Sequence, residues 1–320
     1  MRIFVTGGAG FIGSNYVRFV LGNHDDEITV FDALTYAGNL DNLKGLEDDP
    51  RFTFVKGDIT DRDAVTRAMD GHDTVVHFAA ESHVDRSIVS PDEFVRTNCD
   101  GTNVMCDVAR RIGVDRFLHI STDEVYGSIE EGSFTETDRL SPRSPYSASK
   151  AGSDLIALSY HSTYGLPVVV TRSSNNFGPY QFPEKVIPLF VTNVLDGRKV
   201  PLYGDGMNVR DWCFVEDNCA AVDLVLRRGT TGEIYNIGAG NEVPNRELTD
   251  RILAILGHGD AMIEYVEDRL GHDRRYSIDI AKVQALGWSP TREFGEALEA
   301  TVAWYSDNRW WWEPLKQRPA

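Results

Sequence analysis

Arg2-Ile3-Phe4-Val5-Thr6-Gly7-Gly8-Ala9-Gly10-Phe11-Ile12-Gly13 decides the fold of this chain. Residues 2–6 are a short run without polar alternation, which reads as a buried strand. Glycines follow, and a helical pattern begins among them. Glycine permits a tight turn and close backbone approach, while the helix N-terminus presents N–H groups to a pyrophosphate. Asp32 ends the second apolar run, 19 residues beyond Gly13. A carboxylate there accepts hydrogen bonds from an adenosine ribose and repels a 2′-phosphate, which selects NAD over NADP. Gly7, Gly10, Phe11, Ile12, Gly13 and Asp32 are thus the first candidate cofactor contacts.

The rhythm continues. Apolar runs at 28–32, 52–56, 74–78, 116–121 and 168–172 alternate with helical patterns near 12–21, 61–69, 93–111 and 146–164. Such alternation predicts right-handed crossovers and an α/β, Rossmann-type doubly wound parallel sheet. Asp58-Ile59 and Ala79-Ala80 follow the third and fourth runs, where adenine and the pyrophosphate-ribose path would lie. Ordinary strand-end packing explains both pairs equally well from spacing alone. After about Asn175 the rhythm breaks. Pro179, Pro183, Pro188 and Pro201 punctuate a region read as loops and short elements. A helix near 217–227 and a strand at 233–237 return to the sheet. Helices near 246–256 and 294–307 belong to a smaller, discontinuous α/β cap. The expected division is 1–175, with a return segment near 208–237, for the cofactor, and 176–207 with 238–320 for the substrate.

Composition narrows the function. The 320 residues carry 32 Lys plus Arg against 49 Asp plus Glu, a formal charge of −17. That balance disfavours nucleic-acid and anionic-membrane binding, though not a local basic pocket. There is no apolar signal segment and no apolar run of membrane-spanning length. Cys99, Cys106, Cys213 and Cys219 lack CxxC spacing, so free thiols are expected rather than disulfides or a metal site. The reading is a soluble, cytoplasmic protein.

Ser121-Thr122-Asp123-Glu124-Val125-Tyr126-Gly127 places an acid and a base side by side at the end of the fifth run. Neighbours on a regular strand point to opposite faces, so both carboxyls serve one site only if the strand has ended in a turn. Gly127 is consistent with that turn. Tyr146 and Lys150, spaced i,i+4, share one helix face. A free phenol ionises near about 10, too high for a base at neutral pH. A nearby ammonium together with a positive nicotinamide ring favours the phenolate. Hydride transfer alone needs no pair of carboxyls; removing water beside a ketone does.

In these motifs the chain resembles the extended short-chain dehydrogenase/reductases, and more narrowly the dTDP-glucose 4,6-dehydratases. The resemblance spans nearly the whole chain. It rests on the glycine turn, the heptapeptide, Tyr146 and Lys150. It also rests on Leu34-Thr35-Tyr36-Ala37-Gly38-Asn39-Leu40, Ala79-Ala80-Glu81-Ser82-His83-Val84-Asp85-Arg86-Ser87, Asn175-Asn176-Phe177-Gly178-Pro179-Tyr180 and Pro183-Glu184-Lys185. Gly204-Asp205-Gly206, Arg210-Asp211-Trp212 and Asp268-Arg269-Leu270-Gly271-His272-Asp273 complete it. Asp123 discriminates: related epimerases and decarboxylases share the glycine turn, Thr122, Tyr146 and Lys150, and some carry a residue like Glu124. One departure is Cys213-Phe214, where relatives often show Leu-Tyr.

The resemblance implies that Tyr146, with Thr122 and Lys150, starts C4 oxidation of the sugar by NAD. Glu124 then removes the C5 proton, Asp123 protonates the departing C6 hydroxyl, and hydride returns to C6. It further implies NAD contacts at Leu34, Thr35, Gly38, Ser82, Thr97 and Asn176. The nucleotide sugar would meet Ser82, Thr122, Asn175, Lys185, Val186, Pro201, Tyr203, Arg210, Asn245, Arg269 and His272. A homodimer through a four-helix bundle of the helices near 93–111 and 146–164 is also implied. Residue spacing offers His83 and His272 no zinc set. Trp310-Trp311-Trp312 is read as a packing anchor after the last helix, and Cys99 and Cys106 as an apolar stripe. The competing readings are another sugar-nucleotide epimerase, decarboxylase or dehydratase, and a silent NAD sensor.

Overall fold

The computed structural model describes residues 1–268 and 271–317. The apolar runs become strands β1 (Arg2–Thr6), β2 (Glu27–Asp32), β3 (Phe52–Lys56), β4 (Thr74–His77), β5 (Arg116–Thr122) and β6 (Val168–Ser173). The chain then forms β7 (Asn175–Phe177), β8 (Val200–Tyr203) and β9 (Val209–Phe214) before β10 (Ile234–Ile237). The large sheet has the order β10-β6-β5-β4-β1-β2-β3 and is parallel throughout. Strand order reverses between β1 and β4, the place where open α/β sheets bind ligands beyond their carboxyl ends. Helices Phe11–Asn23 and Val215–Arg228 bury Val17, Val20, Val222 and Val225 in one layer. Val65, Met69, Met105 and Val108 belong to the core packed on Phe4, Phe31 and Phe117.

The cap holds two further sheets. β9 pairs with β7 in parallel and antiparallel with β11 (Glu242–Pro244), while β8 pairs with β12 (Ile263–Val266). Its apolar core includes Phe177, Trp212, Leu248, Leu298, Trp311 and Trp312.

Three expectations are corrected. The proline-rich stretch contains a full helix, Val186–Leu195, with Pro188 inside its first turn. A missing N–H costs little there, because first-turn N–H groups have no intrahelical acceptor. The Trp run does not follow the last helix but lies within one, Arg309–Lys316. Trp311 and Trp312 are buried there and Trp310 is exposed. The helix expected near 93–111 is three pieces, Pro91–Phe94, a π-helical segment Val95–Gly101, and Thr102–Ile112. The wider turn breaks the Cys99–Cys106 stripe: Cys106 is buried, while the Cys99 thiol donates to the Ser149 carbonyl at 3.4 Å.

Helix Pro145–Tyr164 buries a polar face, including Tyr146, Ser149, Lys150, Ser153 and Asp154. Ser144 caps it by accepting the Ser147 N–H, which starts the helix one residue before Tyr146. Lys150, Ser153 and Asp154 find partners on the sheet. Arg172 Nε of β6 donates to Asp154 Oδ2 at 2.9 Å, and Arg172 Nη1 donates to the Tyr126 hydroxyl at 2.9 Å. The Arg172 and Asp154 side chains are 2% and 0% exposed. Removing one member of such a pair strands the other charge in the core. Asp154→Ala should therefore lose about 3–5 kcal/mol in denaturant unfolding; a loss below about 1 kcal/mol would show that the pair is not what holds this helix down.

Candidate active site

The glycine turn is shaped by two close approaches. Gly7 adopts φ +69°, and a Cβ on it would lie 2.6 Å from the Ala79 nitrogen on β4's extension. A Cβ on Gly13 would collide with the Gly7 carbonyl. Both collisions involve backbone, which cannot yield as a side chain can. Gly10 starts helix Phe11–Asn23 without a side-chain cap, leaving its N-terminal N–H groups for a ligand. Asp32 Oδ2 accepts the Ala9 N–H at 3.0 Å and Oδ1 accepts the Leu34 N–H at 2.8 Å. Burial pushes the Asp32 carboxyl up, and those two bonds pull it back. Asp32 thus holds the turn as well as facing the cavity, and each oxygen keeps a lone pair for a ribose.

A cavity of about 950 Å³ opens beyond these strand ends. Gly7, Gly10, Phe11, Ile12, Gly13, Asp32, Thr35, Gly38, Asp58, Ile59, Ala79, Ala80, Ser82, Thr97, Tyr146 and Lys150 line it. Two expected cofactor residues are not on its wall. Leu34, at φ +55°, packs against the main core, and Asn176 lies on β7 with its Nδ2 donating to the Ser174 carbonyl. Asn176 Oδ1 is buried without a protein partner. The uncapped helix, the excluded Cβ positions, Asp32 and the cavity's length from turn to Lys150 fit a dinucleotide.

The wall also holds residues that sequence reasoning passed over. Arg86 stacks over Tyr36 with 3.7 Å from Cζ to the ring centroid, and its Nη2 reaches Glu184 at 3.5 Å. Lys185 Nζ donates to the Ser82 carbonyl at 2.9 Å, tying the cap to the loop after β4. Tyr36, Arg86 and Glu184, the three passed over, lie inside quoted motifs, so the motif boundaries were the available signal.

At the end of β5 the strand does stop. Asp123–Val125 is a turn of 3₁₀ helix, and Thr122 caps it by accepting the Glu124 N–H at 3.2 Å. Thr122 Oγ1 donates to Asp123 Oδ1 at 3.3 Å, while Asp123 Oδ2 is buried with no hydrogen-bond partner. Burial, Glu124 and Asp211 hold the Asp123 carboxyl well above the usual range, against Arg210. These influences favour the protonated form of Asp123. Burial and Glu124 likewise push the Tyr146 phenol up, and a hydrogen bond with Thr122 opposes them. The turn thus brings Thr122, Asp123 and Glu124 into one electrostatic cluster with Tyr146; Tyr146 is on the cavity wall and the other three lie beside it.

Lys150 Nζ donates to the Ile120 carbonyl at 2.7 Å. Burial pulls this ammonium down to about 8, with Asp154 and Cys99 opposing. The unfolded chain keeps that proton to about 10.5. Between those values the unfolded state binds more protons, so this site's contribution to stability rises with pH. Relative to Lys150→Met, the wild type should gain unfolding free energy from pH 8 to 10.5 and show a constant difference below 8. Chemical denaturation across that range checks it; a difference constant throughout would show that Lys150 is not desolvated.

The other expected substrate residues are spread over the cap. Among those in the described residues, only Ser82 and Lys185 line the cavity. Asn175 is on β7 with its Oδ1 buried and unpartnered, and Val186 begins helix Val186–Leu195. Pro201 and Tyr203 are on β8, and Asn245 begins helix Asn245–Ile255 with its Oδ1 unpartnered. His272 Nδ1 pairs with Asp268 at 2.6 Å, and its ring meets Tyr203 edge-on at 6.2 Å. Arg210 is buried, donating to the Val209 and Asp273 carbonyls and stacking over Tyr276 at 4.1 Å. Arg269 lies outside the described residues. His83 caps helix Val84–Val89.

A doubly wound sheet with this glycine turn and a Tyr146–Lys150 helix is that of an extended short-chain dehydrogenase/reductase. The family model described as GDP-mannose 4,6 dehydratase matches residues 4–301. The dTDP-glucose 4,6-dehydratase of Streptomyces antibioticus is 58% identical, covering 100% of this chain and 97% of that one. DesIV, a dTDP-glucose 4,6-dehydratase from Streptomyces venezuelae crystallised with NAD bound, superposes with a TM-score of 0.97. It is 55% identical and covers 98% of this chain and 100% of its own. A UDP-glucose 4-epimerase from Thermotoga maritima reaches a TM-score of 0.90 at 31% identity, over 97% of this chain and 100% of that one. The chain belongs to the nucleotide-sugar 4,6-dehydratase family, alongside the dTDP-glucose enzymes. Among the described residues no helix is long and apolar enough to cross a membrane.

Proposed function

We infer that the protein is a hydro-lyase that converts dTDP-glucose to dTDP-4-keto-6-deoxyglucose and water. The observation that carries this is Asp123: a buried carboxyl, in surroundings that favour its protonated form, in the same 3₁₀ turn as Glu124 and in the same cluster as Tyr146. An epimerase has no use for such an acid.

The glycine turn and Asp32 would hold NAD, which would supply a hydride acceptor for C4 and a donor for C6, so no reductant is consumed. Tyr146 accepts the C4 hydroxyl proton, with Thr122 bonded to its oxygen and Lys150 on the cavity wall behind it. The C4 ketone acidifies the C5 proton, which Glu124 removes and returns to C5 as hydride reaches C6. Asp123 Oδ2, with its proton otherwise uncommitted, protonates the departing C6 hydroxyl. In this reading residues 1–175 and 208–237 hold the cofactor. Residues 176–207 and 238–320 hold the nucleotide sugar through Lys185, Val186, Asn245, Arg269 and His272 at its diphosphate and nucleoside, joined there by Asn175 and Arg210 from the cofactor segments, with Pro201 and Tyr203 framing the base.

Incubation with dTDP-glucose should give the 4-keto-6-deoxy product that develops a chromophore in base. Product from CDP-, GDP- or UDP-glucose, and none from dTDP-glucose, would reassign the substrate. Helices Thr102–Ile112 and Pro145–Tyr164, with the π segment, support the four-helix homodimer: Val95, Leu155 and Tyr164 leave large apolar side chains exposed on them. Sedimentation at micromolar concentration should show a dimer, and a monomer there overturns it. Four unpaired cysteines support a cytoplasmic location.

A further inference from the structure

Trp311 makes a bond that packing alone does not require. Its indole Nε1 donates to Asn42 Oδ1 at 2.8 Å, across 269 residues of sequence. Asn42 Nδ2 in turn donates to the Ala9 carbonyl at 2.8 Å. Trp311 and Asn42 are each 1% exposed, so water completes neither bond. Ala9 lies inside the glycine turn. Its carbonyl also accepts the Asn39 N–H at 3.0 Å, and its own N–H donates to Asp32.

The chemistry of the three groups allows one arrangement only. An indole N–H donates and never accepts; a peptide carbonyl accepts and never donates. The Asn42 amide joins them because it has one oxygen and one NH₂. With the indole on its oxygen, the NH₂ must face Ala9. A flipped amide would set NH₂ against N–H and oxygen against oxygen. Trp311 therefore fixes the orientation in which Asn42 holds the turn. The indole is itself clamped in the cap, edge-on to Trp304 at 5.2 Å and to Tyr180 at 5.8 Å.

We propose that Trp311 and Asn42 form a latch by which the C-terminal helix holds the glycine turn in its NAD-binding shape, Trp311 being a positioning residue for cofactor retention. The proposal rests on the inferred NAD-dependent cycle, in which the cofactor must stay bound between oxidation at C4 and reduction at C6. A chain that lets it go midway is left with an unfinished sugar. The latch places that retention under the control of a helix remote from the chemistry.

The test compares purified wild type with Trp311→Phe, Asn42→Ala, the double variant and Trp312→Phe. Trp311→Phe keeps an aromatic ring but removes the donor together with the pyrrole ring, a loss of volume that the control shares. Trp312→Phe is the control: Trp312 Nε1 donates to the Tyr305 carbonyl at 2.7 Å, an equally buried bond wholly within the cap. The readouts are nucleotide retained per chain after desalting, the rate of NAD release, and activity with and without excess NAD. Trp311→Phe should release NAD about tenfold faster, the scale of one unsatisfied buried acceptor. Asn42→Ala should match it, the double variant should add little, and excess NAD should restore activity. Trp312→Phe should retain NAD as wild type does. Wild-type retention in Trp311→Phe, or equal loss in Trp312→Phe, overturns the latch. A wild-type chain that neither carries nor takes up NAD overturns the cofactor reading instead.

Discussion

Asp123→Asn should still oxidise the sugar at C4 but lose water about 10²–10⁴-fold more slowly, the usual span of one general acid. The substitution is close to isosteric and electrostatically quiet. Burial, Glu124 and Asp211 already favour the protonated Asp123 carboxyl, so a neutral amide changes little around it. What changes is Oδ2, the buried atom without a protein partner. A carboxyl there carries a proton it can give up; an amide offers an N–H that it cannot transfer. In a single turnover, reduced cofactor should accumulate while the quenched sugar, read by mass spectrometry, keeps its C6 oxygen. Water loss at the wild-type rate would remove the acid role from Asp123. The activity of the wild type should also fall as pH rises through the elevated Asp123 value, because only the protonated carboxyl acts.

The cofactor half of the molecule was legible because local signals and tertiary demands coincide there. Residues 2–13 must be strand, turn and helix on propensity alone, and the turn that Asp123 and Glu124 require was implied by Gly127. The cap hid itself for the opposite reason. Pro188 reads as a breaker, yet it occupies a first helical turn where no N–H is needed. Trp310 to Trp312 looked like a tail because Asn308 ends one helix, Phe294–Asp307, and starts the next with no loop between them. A π segment adds a residue to a turn and shifts the apolar register, so a reading at constant helical period runs through Val95–Gly101 without marking it. Arg210 shows the limit for single residues. Its charge pointed to a diphosphate, but charge alone did not reveal burial against Tyr276 or its electrostatic hold on Asp123.

Tyr146→Phe should fail one step earlier, with no reduced cofactor formed and the overall rate down by about 10²–10⁴-fold. The ring stays in place, since its edge contact with Phe94 at 6.3 Å does not involve the hydroxyl. Only the proton acceptor is lost. The phenol of the wild-type chain is itself a poor base, because burial and Glu124 oppose its ionisation. The Thr122 hydrogen bond opposes them only in part, and Lys150 directs its ammonium at the Ile120 carbonyl. Ionisation of Tyr146 must therefore depend on positive charge that arrives with the ligands, which ties the first proton transfer to a filled site and protects the empty one from it. The two variants then separate cleanly in stopped-flow absorbance: Asp123→Asn shows a rise that persists, and Tyr146→Phe shows none. A normal rise in Tyr146→Phe would place the base elsewhere in the cluster, with Glu124 the remaining carboxylate able to take that proton.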